Sequence, residues 1–159
     1  MNAVVLRPRH RLHLFQGADA LFAAMVHAIE QSCHEVRLES YIFAFDQQGL
    51  AVASALESAA LRGVQVYLVV DGIGTPPLPP QWTARFDAAG VRWHRFSPLG
   101  WVGVFFPVRW RRLHRKLCVV DGRVAFCGGI NVMDDFQDPR LGTLESARLD
   151  FAVQVHGPL

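Results

Sequence analysis

Cysteine is scarce in this chain of 159 residues, and its spacing excludes two common uses. Cys33, Cys118 and Cys127 are odd in number and form no CxxC pair, which argues against a disulfide framework and against a zinc ribbon. The scarcity favours a reducing, cytoplasmic setting. Cys118 and Cys127 lie in apolar segments, so we expect both to behave as small buried hydrophobic residues.

Long apolar runs are also absent. No stretch approaches the roughly 18 apolar residues of a membrane-spanning helix, and the opening MNAVVLRPRHRLHLF lacks the order of a signal peptide. Net charge is only +2, which excludes a general polyanion binder and requires any electropositive site to be local. A length of 159 residues with 51% hydrophobic and 19% charged residues predicts one globular domain over 1–159.

Helix and strand patterns alternate along the chain. Helices are predicted at 18–32, 50–63 and 81–90, and strands at 35–45, 64–72, 91–96 and 150–157, together with a hairpin that joins LCVV to VAFC through Asp121-Gly122. A proline-rich loop, TPPLPP, covers 75–80. This alternation predicts an α/β fold with a mixed β-sheet flanked by helices on both faces.

Residues 114–131, HRKLCVVDGRVAFCGGIN, add polar groups at both ends of that apolar hairpin. Six positions match the HxKxxxxDxxxxxxGGxN pattern of the phospholipase D superfamily: His114, Lys116, Asp121, Gly128, Gly129 and Asn131. A lone HxK pair on a strand is usually solvated surface, but six specified positions across 18 residues make a specific motif. The segments ESYIFAFDQQGLAVASALESAALRGVQVYLVVDGIG and LHRKLCVVDGRVAFCGGINVMDDF further resemble the N-terminal half of bacterial cardiolipin synthases.

The resemblance extends from about residue 10 to the end of the chain. It implies a phospholipase D-like α/β sandwich that forms one half of a two-motif enzyme. It implies no metal and no other cofactor, because the histidines and lysines of two motifs take the place of a metal. By the resemblance, His114 is nucleophile or general acid, and Lys116 and Asn131 bind phosphate.

The chemistry of a phosphodiester explains these residue types. On an extended strand His114 and Lys116 share one face. An imidazole can form a covalent phosphohistidine, and an ammonium group can stabilise the phosphoryl oxygens in the transition state. Asn131 can donate an amide N–H, and Gly128 and Gly129 leave room for backbone to approach the phosphate.

Four further positions have competing interpretations. Asp121, grouped with the catalytic residues by the motif, is equally well explained as a turn residue. Asp150 matches the acidic position that orients a catalytic imidazole in this superfamily, with a strand-edge carboxylate as the alternative. Glu39 and Tyr41 resemble pocket-lining positions, although Glu39 could instead form a structural ion pair.

A second motif is missing. The remaining histidines are His10, His13, His27, His34, His94 and His156, and none has a lysine two positions later. The superfamily's site takes two motifs, so either two copies of the chain meet as a homodimer or the second half is absent. The ending at HGPL favours truncation as the expectation.

The segment PLGWVGVFFPVRWRR (98–112) bears on the substrate. It combines aromatic and basic side chains, namely Trp101, Phe105, Phe106, Trp110, Arg109, Arg111 and Arg112. Such a mixture suits contact with an anionic membrane, but it also suits stacking on single-stranded nucleic acid or packing as a loop on its own domain. The resemblance favours the membrane, and nucleic acid is not expected as a partner.

The expected function is therefore that of a phosphatidyltransferase that makes cardiolipin from phosphatidylglycerol through a phosphohistidine. The alternatives are a phospholipase D, a nuclease or another phosphodiesterase, and an inactive half that binds lipid or a partner. The acceptor alcohol stays open. The expected partners are a phospholipid substrate, an anionic membrane surface, and a second motif-bearing half or second copy, at the cytoplasmic face of the bacterial inner membrane as a peripheral protein.

Overall fold

The computed structural model describes residues 10–98, 112–138 and 142–159. The helices are α1 (Ala18–Glu30), α2 (Gln47–Leu61) and α3 (Pro80–Ala89). The strands are β1 (Arg11–Gln16), β2 (Glu35–Ser40), β3 (Gln65–Asp71), β4 (Arg92–Phe96), β5 (Lys116–Val120), β6 (Val124–Gly128), β7 (Gln137–Asp138), β8 (Gly142–Thr143) and β9 (Phe151–His156). The predicted elements are confirmed with shifts at their ends, most of all at β2, which stops at Ser40 instead of residue 45.

Seven strands form one mixed sheet in the order β1-β9-β6-β5-β2-β3-β4. β2, β3 and β4 are parallel neighbours, and α2 and α3 make the crossovers that parallel neighbours require. The other pairings are antiparallel. The mixed sheet of an α/β sandwich, as expected from the sequence, is confirmed.

Strand β1 was not predicted. Its sequence, RLHLFQ, alternates in polarity, but Leu12 and Leu14 are 71% and 63% exposed and only Phe15 is buried. A strand whose apolar side chains face outward gives no core signal. What makes it a strand is its antiparallel pairing with β9, over which Arg11 lies opposite His156 and Gln16 opposite Phe151.

The three helices form one layer, because α1 packs on α2 and α2 packs on α3. The core lies between this layer and one face of the sheet. Fully buried side chains from the helices, among them Phe22, Ile29, Leu56 and Phe86, meet Leu38 and other buried strand residues there. Burial of each such side chain stabilises the fold by roughly 1.5–3 kcal/mol.

The opposite face of the sheet is not covered by any of these three helices. Along one row of paired residues Leu14, Val153, Cys127, Leu117 and Glu39 lie side by side. Their side chains are exposed or only partly buried. This open, largely apolar face explains why one cysteine prediction is wrong. Cys118 is fully buried, and burial raises the pKa of its thiol to about 12. Cys127 belongs to the other face of the hairpin and is exposed.

Asp121 fixes the hairpin of β5 and β6 to the start of β2. It has a positive φ of 52° in the turn, and its carboxylate accepts N–H groups from Cys33, His34 and Glu35 at 2.9, 2.8 and 2.8 Å. Burial alone would raise the pKa of Asp121, but these backbone donors lower it below its ordinary value. Asp121 is therefore a structural clamp between two segments that are far apart in the chain.

Replacement of Asp121 by alanine should destabilise the fold by about 2–3 kcal/mol, since three backbone N–H groups lose one charged acceptor. Urea unfolding followed by circular dichroism measures this free energy. The control is Glu30→Ala, which removes an exposed acid at the end of α1 and should change stability by less than about 0.5 kcal/mol. Equal effects of the two substitutions would contradict the clamp.

Candidate active site

The motif residues meet at one edge of the sheet, where β2 and β3 end and β5 begins. Ser40, the last residue of β2, lies opposite Lys116, the first residue of β5. At the same edge Gly128, the last residue of β6, lies opposite Ala152 near the start of β9. Residues that follow or precede these strand ends therefore converge, and they include His114, Tyr41, Asn131 and Asp150.

His114 and Lys116 are in direct contact. The Nζ of Lys116 lies 3.2 Å from Nε2 of His114. An ammonium group can only donate a hydrogen bond, so the geometry fits an imidazole with its proton on Nδ1 and its lone pair on Nε2. The nitrogen at this position is the one with nucleophilic character, and His114 itself is exposed.

Tyr41 supports this pair from the side. Its ring centroid is 5.0 Å from that of His114 in an edge-on arrangement and 5.4 Å from Nζ of Lys116. At this distance the ring face attracts the cation. The structure thus places the Tyr41 ring against both motif side chains, where it restricts their movement.

Two influences act on the charge of Lys116. Burial lowers the pKa of Lys116 below its ordinary value, and the negative charge of Asp150 acts in the opposite direction. A partly desolvated ammonium group interacts more strongly with an anion than a fully hydrated one does. Lys116 is therefore suited to hold a phosphate beside the imidazole.

Asn131 is oriented by the chain that follows β2. Its Oδ1 accepts the backbone N–H of Ile42 at 3.1 Å. Because the oxygen is used in this bond, the Nδ2 amino group is directed elsewhere and remains a donor. This arrangement supports the predicted role of Asn131 as a donor to phosphate oxygens, although no ligand contact tests it.

The glycine pair has a structural reason in the packing of β9. A Cβ on Gly128 would lie 2.4 Å from the carbonyl oxygen of Phe151, and a Cβ on Gly129 would lie 2.1 Å from Oδ1 of Asp150. The backbone contact requires glycine at 128 whether or not phosphate approaches, whereas a side chain at 129 would displace the carboxylate of Asp150. A direct role of the pair toward phosphate stays a prediction.

Asp150 lies against Gly129 and near the charge of Lys116. Its Oδ1 accepts the N–H of the next residue, Phe151, at 2.8 Å, and no hydrogen bond joins it to His114, although the structure describes both residues. Asp150 is thus part of the site, while its predicted action on an imidazole stays a prediction.

Two predicted site residues lie away from the imidazole. Glu39 belongs to the opposite face of β2, where its Oε2 pairs with the guanidinium of Arg115 at 3.2 Å, so the geometry favours the structural ion pair over a pocket role. Asp121 lies five residues beyond Lys116 at the far end of β5, about 16 Å along an extended strand. That distance favours its structural role over catalysis. The predicted membrane-contact residues, Trp101, Phe105, Phe106, Arg109, Trp110 and Arg111, lie outside the described residues.

Sequence reasoning missed Asp71, the residue that anchors the chain leading into His114. Asp71 is completely buried at the end of β3. Its Oδ2 accepts the backbone N–H of Leu113 at 2.8 Å, and its Oδ1 accepts those of Ile73 and Gly74 at 2.8 and 2.9 Å. The sequence offered one signal for this residue: Asp71 is a single acid that directly follows the apolar run VQVYLVV and precedes GIG.

The surroundings of Asp71 favour its charged carboxylate form although the side chain is buried. Burial would raise its pKa, but the N–H groups of Gly74, Leu113 and Ile73 and the guanidinium of Arg112, 3.5 Å away, lower the pKa below its ordinary value of 3.8. A carboxyl group with a lowered pKa stabilises the fold above its ordinary pKa, and this contribution disappears as the pH falls through the lowered value.

Replacement of Asp71 by asparagine should lower the free energy of unfolding by about 2–3 kcal/mol at neutral pH, because an NH2 group must face a backbone donor. The difference from the unchanged protein should shrink over the pH range that begins at the ordinary pKa of 3.8 and extends down through the lowered value. Urea unfolding at several pH values measures both effects. A difference that stays constant over this range would show that the carboxylate charge is not the cause.

Comparison with known proteins agrees with this fold. Residues 25–136 match the family model described as "Cardiolipin synthase, PLD-like domain". Because the match spans more than half of the chain, this chain belongs to the phospholipase D-like domain family. The expected family is therefore confirmed.

Two individual relatives show how similar this chain is to known proteins and over what length. The chain is 32% identical over 157 residues to cardiolipin synthase B of Salmonella typhi, a match that covers 96% of this chain and 36% of the relative. It is 33% identical over 123 residues to cardiolipin synthase 1 of Bacillus cereus, covering 77% and 24%. This chain thus spans about a third or less of the length of these relatives.

A solved structure supports the fold independently. The phospholipase D family member Nuc from Salmonella typhimurium superposes with a TM-score of 0.62 at 19% identity, covering 94% of this chain and 84% of that one. At such identity the likeness shows the fold alone.

Proposed function

We propose that this chain supplies one half of the active site of a phosphatidyltransferase that makes cardiolipin from phosphatidylglycerol. The observation that carries the proposal is the 3.2 Å contact between Lys116 Nζ and His114 Nε2. It places an electron pair and a cation where one phosphate group can meet both. The similarity to cardiolipin synthases over most of the chain supports the lipid substrate.

The reaction proceeds in two displacements. The Nε2 lone pair of His114 attacks phosphorus, the bond from phosphorus to the leaving alcohol oxygen breaks, and a covalent phosphohistidine forms. Lys116 and Asn131 stabilise the charge that develops on the phosphoryl oxygens. The hydroxyl group of the acceptor then attacks phosphorus, breaks the N–P bond and restores the imidazole.

A separate proton donor is needed for the leaving oxygen, and this chain contains one HxK motif. The donor is a second imidazole, which we assign to a second motif-bearing half or to a second copy of the chain. It protonates the leaving alcohol in the first displacement and removes the proton of the acceptor in the second. Full turnover therefore belongs to the assembled two-motif enzyme.

The location of the enzyme is part of the proposal. Within the residues that the structure describes, every helix is too short or too polar to span a bilayer. Names of the relatives support association with a phospholipid membrane. We assign a peripheral position at the cytoplasmic face of the inner membrane, with the aromatic and basic segment 98–112 toward anionic headgroups.

In the assembled enzyme, replacement of His114 by alanine should abolish cardiolipin formation, because the second imidazole acts as the proton donor and cannot also serve as the nucleophile. Replacement of Lys116 by alanine should cost roughly 3 kcal/mol of transition-state stabilisation, about a hundredfold in rate. Mass spectrometry of lipids extracted from phosphatidylglycerol vesicles measures the product. His94→Ala, on an exposed histidine of β4, is the matched control and should leave the rate unchanged.

A parallel incubation with single-stranded DNA separates the competing enzyme class. Cleavage of DNA without any lipid product would overturn the lipid assignment. Normal turnover by His114→Ala would overturn the site assignment itself.

The oligomeric state distinguishes the two sources of the second motif. We expect a monomer that is inactive alone and gains activity when a separately expressed second half is added. Light scattering coupled to gel filtration measures the mass, to be compared with 17.8 kDa for one chain. A stable dimer that is active on lipid would instead assign the second imidazole to another copy of this chain.

A further inference from the structure

A large groove opens beside the motif, and neither the motif nor the reaction accounts for it. It has a volume of about 710 Å³ and lies between the segment that follows β2, the proline-rich loop after β3 and the segment that follows Asn131. Its apolar lining includes Ile42, Phe45, Ile73, Pro77 and Pro79. Ligand pockets typically have volumes of about 300–1,000 Å³ and mostly apolar walls.

The groove adjoins the phosphate site, and Tyr41 lies between them. A Cβ on Gly74, a lining residue, would lie 2.8 Å from the Tyr41 ring, so the ring packs directly on the groove wall. On its other side the same ring contacts His114 and Lys116. Ile42, a second lining residue, donates its N–H to Asn131. A ligand whose phosphate is held by the motif therefore has the groove as its immediate neighbour.

The walls of the groove are fixed in place. Thr75 is buried, and its Oγ1 donates to the carbonyl of Tyr41 and accepts the N–H of Phe43, both at 3.0 Å. Two of the acids that line the groove are engaged with backbone. Asp46 accepts the N–H groups of Gly49 and Asp134 at 3.0 and 2.7 Å, and Oδ1 of Asp134 accepts the N–H of Phe136 at 2.7 Å. Prolines fix φ in the facing loop. A preformed groove loses less entropy when it binds a ligand.

The charge of the lining residues indicates which part of a ligand can bind in the groove. No lysine or arginine occurs among the described residues that line it, whereas Asp46, Asp134 and Asp138 do. An extended polyanion such as a nucleic acid strand would find apolar and acidic surface there and, among the lining residues that the structure describes, no cation for its next phosphates. An uncharged hydrocarbon chain can bury its surface against the same walls.

We propose that this groove binds an acyl chain of the phospholipid whose phosphate contacts both His114 and Lys116. This inference rests on the proposed function and adds a position for the hydrocarbon part of the substrate. The groove then selects for a lipid phosphodiester over a water-soluble one with the same headgroup.

The test compares two ligands with the same phosphodiester group, monomeric dihexanoyl phosphatidylglycerol and glycerophosphoglycerol, which has no acyl chains. The 159-residue chain has four isoleucines, which suits titration by methyl NMR. The methyl groups of Ile42 and Ile73 should shift with the lipid, while that of Ile29, fully buried in the core, should not. We expect the lipid to bind at least about tenfold tighter, the gain from burying two methylene groups.

Substitutions separate the groove from the phosphate site. Ile73 is 45% exposed, so Ile73→Asn should preserve the fold; it should weaken lipid binding about fivefold and leave glycerophosphoglycerol binding unchanged. Leu61→Asn, on a leucine that is 70% exposed at the end of α2, is the matched control and should affect neither ligand. Lys116→Ala should weaken binding of both.

The outcomes distinguish this inference from the proposed function. Equal affinities for the two ligands, both lowered by Lys116→Ala, would overturn the acyl-chain groove and leave the phosphate site intact. Binding of both ligands that is unaffected by Lys116→Ala would overturn the phosphate site on which the proposal rests. Unchanged lipid affinity in Ile73→Asn would likewise contradict the groove.

Discussion

The pairing of β5 with β2 determines the position of every motif side chain, and its register is held at the end opposite to the site. Asp121 binds three backbone N–H groups of residues 33–35, and from there the ladder runs until Lys116 lies opposite Ser40. A slip of one residue would turn Lys116 to the other face of the sheet, where Glu39 and Arg115 form their ion pair. A turn residue far from the chemistry thus determines which face the chemistry occupies.

Carboxylates in this fold act mainly as acceptors for backbone donors. Asp71 holds the chain before His114, Asp121 holds the hairpin, and Asp46 holds the start of α2 and the segment after Asn131. Each such bond satisfies an N–H group that no helix or sheet ladder satisfies. Since these acids are engaged, they leave the region around His114 and Lys116 suited to an anion even though the net charge of the chain is only +2.

The same edge of the sheet provides both a polar and an apolar surface. Strand ends present His114, Lys116 and Asn131, while the loops that continue from β2 and β3 form the groove. Tyr41 lies between the two surfaces and contacts both. For a phospholipid, which joins a charged phosphodiester to long hydrocarbon chains, adjacency of these surfaces is the geometric requirement for binding in one orientation.

The family pattern and most strands were predictable because both depend on local information. The spacing from His114 to Asn131 is a property of a single segment, and apolar runs such as VQVYLVV are recognisable without their neighbours. β1 was missed because its leucines face outward, and the burial predicted for Cys127 was wrong because the two faces of the hairpin are covered differently. From the sequence, Tyr41 and Glu39 were both candidates for lining the pocket. The chain turns after Ser40 and brings only Tyr41 to His114.

The sequence by itself determined the residue types of the motif, their spacing and the alternation of helices and strands, because each arises within a short segment. The tertiary structure alone decided that Asp71 anchors Leu113, 42 residues away, that β9 requires glycine at 128, and that three separate loops line one groove. These features depend on contacts between distant parts of the chain, which form only when the strands adopt their order in the sheet.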